Sequence, residues 1–344
     1  ARRGRRGRPP CDLEIVGTEE ARTCPGCFEV LRTPGARANH MRRCCPQLLE
    51  DDTRKRPKSA SAEFLESARS VVKSIDDASS RRILELRFGL DRAGEDRTPA
   101  EVGKIAGMKP GAALTAIRNA MKGVPLIADS PDGLQVLHED HDLIVVNKPA
   151  GLRCSPWHRF VGGSMLNMIT GYLETKSERP FSVHSLDATT SGVYVVAKSA
   201  TVASALLRSW HGEGFRKEYL AVVEKPGDAM QQVGDVVEIS AALAQVDGRD
   251  YRMQVRPGGK AARTRFSVLA TASRAALLRC ELVESGRTHQ IRVHAAHAGF
   301  PILADTKYKA LTTTSIDRPA LHAWRLELMH PGNGSALRVE APVP

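Results

Sequence analysis

No apolar run in the 344-residue sequence approaches 18 residues, which excludes a transmembrane helix. Cysteine is scarce. Seven residues, an odd number, are too few for a disulfide scaffold. Aromatics are low, at 5%. Acidic residues are missing from the first ten positions, which hold five Arg. Disorder over most of the chain is also excluded, because 42% hydrophobic and 26% charged residues are enough to bury a core.

What is present is positive charge, unevenly placed. The net charge is +11, from 50 Lys/Arg against 39 Asp/Glu. Residues 1–58 carry 14 Lys/Arg and 8 Asp/Glu, so over half of the excess lies in the first sixth of the chain. Such a balance favours a polyanionic partner. The basic arm reads as an electrostatic tether, or as the end of an organelle-targeting segment for a mitochondrion or plastid. Punctuation divides the chain into an arm with a cysteine-rich segment at 1–50, a charged linker at 51–61, a helical segment at 62–125 and a strand-rich part at 126–344.

Five cysteines fall in the first 45 residues. Cys24-Pro-Gly-Cys27 places two thiolates on one cation. His40 and Cys44 stand four apart and share a face if that stretch is helical. Cys24, Cys27, His40 and Cys44 can close a tetrahedral zinc site, with Cys45 an alternative fourth ligand. Their order and spacing resemble a CCHC-type zinc finger. A structural zinc is therefore expected.

In the middle segment, Ser79 or Ser80 is placed to cap a helix over SSRRILELRFGL. Thr98-Pro-Ala-Glu101 has the form of a capping box with proline in the first turn. Met108-Lys-Pro110 makes a turn into a second short helix. The stretch RRILELRFGLDRAGEDRTPAEVGKIAG resembles region 4 of bacterial-type sigma factors. Base reading by the second helix is disfavoured, since its first turns are GAALTA and offer only the Thr115 hydroxyl. The expectation is a helical packing or docking module.

Four phrases follow in order: HEDHDLIVVNKPAGL at 138–152, HSLDATTSGVYVVAK at 184–198, KEYLAVV at 217–223 and GRTHQIRVHAAHAGFPILADTKY at 286–308. Asp187 lies in a polar loop before the strand Val193–Ala197, and Thr190-Ser191-Gly192 turns into that strand. A carboxylate so placed suits a nucleophile that must stay ionised. Together the phrases resemble an RluA-type pseudouridine synthase over about residues 134–332.

The resemblance implies a mixed α/β (α+β) domain with a largely antiparallel central sheet, isomerising uridine in structured RNA, above all ribosomal RNA. It implies Asp187 as the attacking carboxylate, Tyr219 as the active-site tyrosine and Arg287 as the arginine paired with the aspartate. It implies no cofactor for catalysis. Ile291 matches an apolar position near the base. Lys148, Thr190, His289, Gln290 and Arg292 join it as RNA-side or loop-supporting candidates. Ser185 stands where the family usually has an arginine two positions before the catalytic Asp. A serine supplies no guanidinium to fill the gap left by a flipped base. A second reading follows from that departure: a non-catalytic relative that binds RNA, ribosomal proteins or an assembly intermediate.

Overall fold

The computed structural model describes residues 62–91, 97–174, 176, 178–210, 212, 214–224, 232–246, 252–308 and 316–344. The basic arm, the linker and the zinc-ligand candidates Cys24, Cys27, His40, Cys44 and Cys45 lie outside the described residues.

The described residues open on four helices: α1 (Ala62–Lys73), α2 (Ala78–Phe88), α3 (Pro99–Ile105) and α4 (Pro110–Gly123). The cap of α2 is Asp77, not Ser79 or Ser80. Its carboxylate accepts from the backbone N–H of Ser79 (3.3 Å) and of Ser80 (2.9 Å). An ionised acceptor there also meets the positive end of the helix, which a serine hydroxyl does not do as well. The Thr98–Glu101 capping box forms as expected. Gly111, Ala112 and Thr115 form the exposed side of the first turns of α4, and the Thr115 hydroxyl donates back to the carbonyl of Gly111 at 3.0 Å. That face offers no side chain suited to reading a base edge.

Leu84, Phe88, Val102, Ile117 and Met121 form the helical core, and Phe160 from the loop of the strand-rich part joins it. The Phe64 ring stacks on Trp157 at 5.7 Å. The Ser67 hydroxyl donates to the carbonyl of Phe160 at 2.8 Å, and Arg159 donates to that of Val124 at 2.9 Å. The helices and this loop therefore share one core.

The strand-rich part contains β1 (Val136–Glu139), β2 (Leu143–Lys148), α5 (Met165–Glu174), β3 (Phe181–Ser182), β4 (Ser191–Ala197), α6 (Ala200–Ser209) and β5 (Arg216–Glu224). Then come β6 (Val236–Ser240), β7 (Leu243–Gln245), β8 (Met253–Val255), β9 (Arg263–Thr271), β10 (Ala275–Glu284), α7 (Gln290–His297), β11 (Leu321–Met329) and β12 (Ala336–Glu340). Among the described residues, ten strands form one sheet in the order β1-β2-β4-β11-β5-β10-β9-β6, with β12 on β11 and β3 on β4; β7 and β8 pair separately. Among the described residues only the β4–β11 ladder is parallel. The mixed, largely antiparallel architecture is the expected one.

The runs LIVVNK and VYVVAK lack alternation because β2 and β4 are covered on both faces. Val145, Val193 and Val195 pack against Ala203, Leu206 and Trp210 on one side. Ile144, Tyr194 and Val196 pack against Met165, Leu166 and Ile169 on the other.

Gly192 fixes the centre of the sheet. It has φ 114°, and a Cβ there would stand 2.1 Å from the carbonyl oxygen of Ala323. Ala323 pairs with Gly192 on one side and with Tyr219 on the other. The Asp187 loop and Tyr219 are thus brought together across β11. Gly192→Ala is expected to cost about 3 kcal/mol or more, from a strained φ and a backbone clash. Equilibrium urea unfolding measures it, and a loss under about 1 kcal/mol would contradict this account.

Candidate active site

Asp187 sits in the loop between β3 and β4, its side chain about one-fifth exposed. The turn closes through the N–H of Thr190, which donates to the Asp187 carbonyl at 3.0 Å. Residues 148–154 strap the loop on both sides of the aspartate. The Gly151 N–H (2.8 Å) and the Lys148 ammonium (3.1 Å) donate to the carbonyl of Ala188. Lys148 Nζ also donates to the carbonyls of Pro149 (2.8 Å) and Leu152 (2.7 Å). On the other side, the N–H of Leu186 donates to Cys154 Sγ at 3.1 Å. Burial pushes the Cys154 thiol up to about 11, so it stays protonated.

Lys148 is fully buried, and burial lowers its pKa to about 8. It holds the loop through backbone carbonyls. Its three donors are all taken by carbonyls, the arrangement that a buried ammonium needs.

Arg292, in the first turn of α7, carries the charge of the site. Its Nη1 donates to Asp187 Oδ2 at 3.0 Å. Its Nε and Nη2 grip Asp305 at 2.7 and 2.8 Å, a two-pronged contact. Both partners of that grip are buried. The two carboxylates hold the Arg292 pKa above its ordinary value against the effect of burial.

The arginine that meets Asp187 is therefore Arg292, not Arg287. The chain turns at His289, which has φ 56°, and α7 then aims Arg292 at the loop. Arg287 lies outside that helix, with Nε 3.5 Å from the carbonyl of Ala261.

Other candidates also move. Gln290 is buried and staples the turn: its amide nitrogen donates to Thr264 Oγ1 (3.1 Å), and its oxygen accepts the Arg287 N–H (2.9 Å). Thr190 is buried in the turn. Neither faces RNA. Ile291 belongs to the core beneath Tyr219, with Ala221, Phe266 and Leu278. Ser185 is exposed. His289 is near the site, with Nε2 3.7 Å from Asp187 Oδ2.

Tyr219 is half-buried on β5, between two apolar clusters. Burial, reinforced by the Asp187 charge, raises its phenol well above the ordinary tyrosine range. At neutral pH it is a protonated ring, able to stack on a base and to hold a hydrogen bond, and not a ready phenolate base.

Asp305, Tyr308 and Cys154 escaped the sequence reading. The signal for two of them was an acid and a tyrosine three apart after the apolar run FPILA. Nothing in that pattern marks Cys154. Among the described residues, no cluster of His, Cys, Asp and Glu could hold a metal ion.

Residues 142–297 match the family model of RNA pseudouridylate synthases. A ribosomal large subunit pseudouridine synthase D of Nitrosomonas europaea is 37% identical over 61% of this chain and 62% of its own length. A ribosomal large subunit pseudouridine synthase C of Escherichia coli is 36% identical over 60% of this chain and 66% of its own. An uncharacterized RNA pseudouridine synthase of Bacillus subtilis is 32% identical, over 69% of this chain and 78% of its length. The chain belongs to the RNA pseudouridine synthase family. It spans just under two thirds of the length of the first two relatives. Human RNA pseudouridylate synthase domain containing 1 shares the fold, with a TM-score of 0.51 at 23% identity over 63% of this chain and 86% of that one. The family match begins at residue 142 and lends no support to the finger or to the sigma-like resemblance.

His184 anchors the start of the loop, where Nε2 accepts the N–H of Val195 at 3.0 Å. Burial drops its pKa to about 3. The folded protein therefore keeps it neutral while an unfolded chain protonates it below about 6.5, so stability falls as the pH drops from 6.5 toward 3. Thermal melts between pH 6.5 and 5, where most carboxylates are still ionised, should show a decline that is shallower in His184→Gln. An equal slope in both proteins would contradict it.

Proposed function

We propose that the chain converts uridine to pseudouridine in ribosomal RNA, with Asp187 as the nucleophile. The observation that carries this reading is the Arg292 guanidinium 3.0 Å from Asp187 Oδ2, which orients the carboxylate in a loop strapped from both sides. The ribosomal substrate rests on the names of the Nitrosomonas and Escherichia relatives.

In this reaction the bond from ribose C1′ to uracil N1 breaks, the uracil turns, and a bond from C1′ to C5 forms. The proton leaves C5 and N1 gains one, so atoms and redox state balance without a cofactor. Asp187 attacks the nucleotide and its bond to it breaks again before the product leaves, which regenerates the carboxylate; Arg292 orients that carboxylate, and the Tyr219 ring stacks on the turning uracil. Tyr219 enters as a neutral phenol, so the C5 proton does not pass to a preformed phenolate.

The exposed Ser185 favours a second reading, an RNA-binding relative without turnover, because it leaves no cation to hold a flipped-out base. Pseudouridine mapping of ribosomal RNA separates the two. Wild type should restore at least one site that Asp187→Ala does not; an unchanged map with RNA binding retained supports the scaffold. On the same substrate, Arg292→Lys should lose at least about 100-fold in turnover, since an ammonium cannot serve both carboxylates. Arg287→Ala should stay within about twofold.

The N-terminal cysteines carry a separate proposal, a structural zinc held by Cys24, Cys27, His40 and Cys44 or Cys45. The ligand spacing supports it. Metal analysis of the full chain should give one zinc per molecule, lost in a Cys24→Ser/Cys27→Ser double variant. A stoichiometry well below one would sink it.

A further inference from the structure

His289 Nδ1 lies 2.7 Å from the Tyr308 hydroxyl, and the rings meet edge to face, 5.5 Å apart. The backbone N–H of Met253 donates to the same hydroxyl oxygen at 2.9 Å. A phenol oxygen has one hydrogen to give and one favourable in-plane acceptor direction. Met253 fills the acceptor direction, so the phenol proton points to Nδ1. The imidazole proton then sits on Nε2, the nitrogen that faces Asp187 Oδ2 at 3.7 Å.

Two donors therefore converge on one oxygen of the aspartate: Arg292 Nη1 at 3.0 Å and His289 Nε2 at 3.7 Å. Catalytic hydrogen bonds are often long before substrate binds and shorten afterwards. Among the described residues no hydrogen bond or ion pair reaches Oδ1.

We propose that His289, its tautomer set by Tyr308, is a positioning residue that with Arg292 holds Oδ2 of Asp187 and leaves Oδ1 as the attacking oxygen. The role rests on Asp187 being the nucleophile. A neutral imidazole suits it, because on shortening from 3.7 Å when substrate binds it would add a second hydrogen bond to Oδ2 without a second cation beside the nucleophile.

The groups facing His289 are Asp187 on the β3–β4 loop, Arg292 on α7, and Asp305, Lys307 and Tyr308 beyond it. Burial lowers the His289 pKa; Asp187 and Asp305 raise it, while Arg292 and Lys307 lower it. The imidazole is neutral above this depressed pKa and becomes a cation only in acid. Removing the phenol donor from Nδ1 takes away a contact that favours the neutral ring. The acid limb of turnover should therefore move to higher pH in Tyr308→Phe.

Two measurements test this. In 15N-histidine NMR at neutral pH, the signal that disappears in His289→Gln should be a neutral imidazole protonated on Nε2, and Tyr308→Phe should change that tautomer pattern. In kinetics, His289→Gln and Tyr308→Phe should each lower kcat about tenfold with KM within twofold, a split that marks an interaction made in the transition state. A proton on Nδ1, or a charged ring at neutral pH, overturns the inference. So does an active wild type whose kcat and acid limb are unmoved by both variants. An inactive wild type is a different failure: it removes the catalytic reading itself, and the positioning role with it.

Discussion

Arg292 divides its guanidinium between two carboxylates, and the geometry of the site follows from that division. Nε and Nη2 belong to Asp305, buried and two-pronged, so Nη1 has a fixed direction. That direction ends on Asp187 Oδ2. The three groups carry a net charge of −1. An Arg–Asp pair alone would be neutral and would bind its aspartate tightly. Sharing the cation orients Asp187 without consuming it. The cost is burial of Arg292 and Asp305, and removing one partner of such a pair leaves the other uncompensated, typically at about 3–5 kcal/mol.

The rest of the domain holds that arrangement in place. The sheet brings Gly192, Ala323 and Tyr219 into register across β4, β11 and β5. Only a glycine allows β4 to approach β11 so closely at that point. The 148–154 strap then fixes the carbonyl of Ala188 and the N–H of Leu186, so the residue between them cannot swing. Lys148 contributes through its three carbonyl contacts, and its charge near the aspartate is incidental to that hold. The loop after the strap also carries Phe160 into the helical core, which joins the N-terminal helices to the part that bears the site.

The electrostatics of the chain divide in the same way as its parts. The basic surplus lies mostly in the first 58 residues, where it suits sequence-independent attraction to a polyanion. The site depends on a few fixed charges at short range.

Much was legible in the sequence. The antiparallel α/β domain and the candidates Asp187 and Tyr219 were legible through the resemblance carried by four phrases in order, and the capping box at Thr98 through local turn chemistry. The side-chain partners were not legible. Arg287 and Arg292 stand five apart in one phrase, and only the left-handed turn at His289 decides which reaches Asp187. Lys148 and Gln290 have polar types that suit RNA contact, yet each satisfies buried backbone groups or side chains created by packing, and Thr190 is buried in the turn. Asp305 and Tyr308 gain their roles from α7 lying against the turn that follows it. Sequence by itself determined which chemistry the chain can carry, since that depends on residue types and their order. Tertiary structure alone decided which donor faces which acceptor, because hydrogen bonds depend on distances of a few tenths of an ångström between residues far apart in the chain.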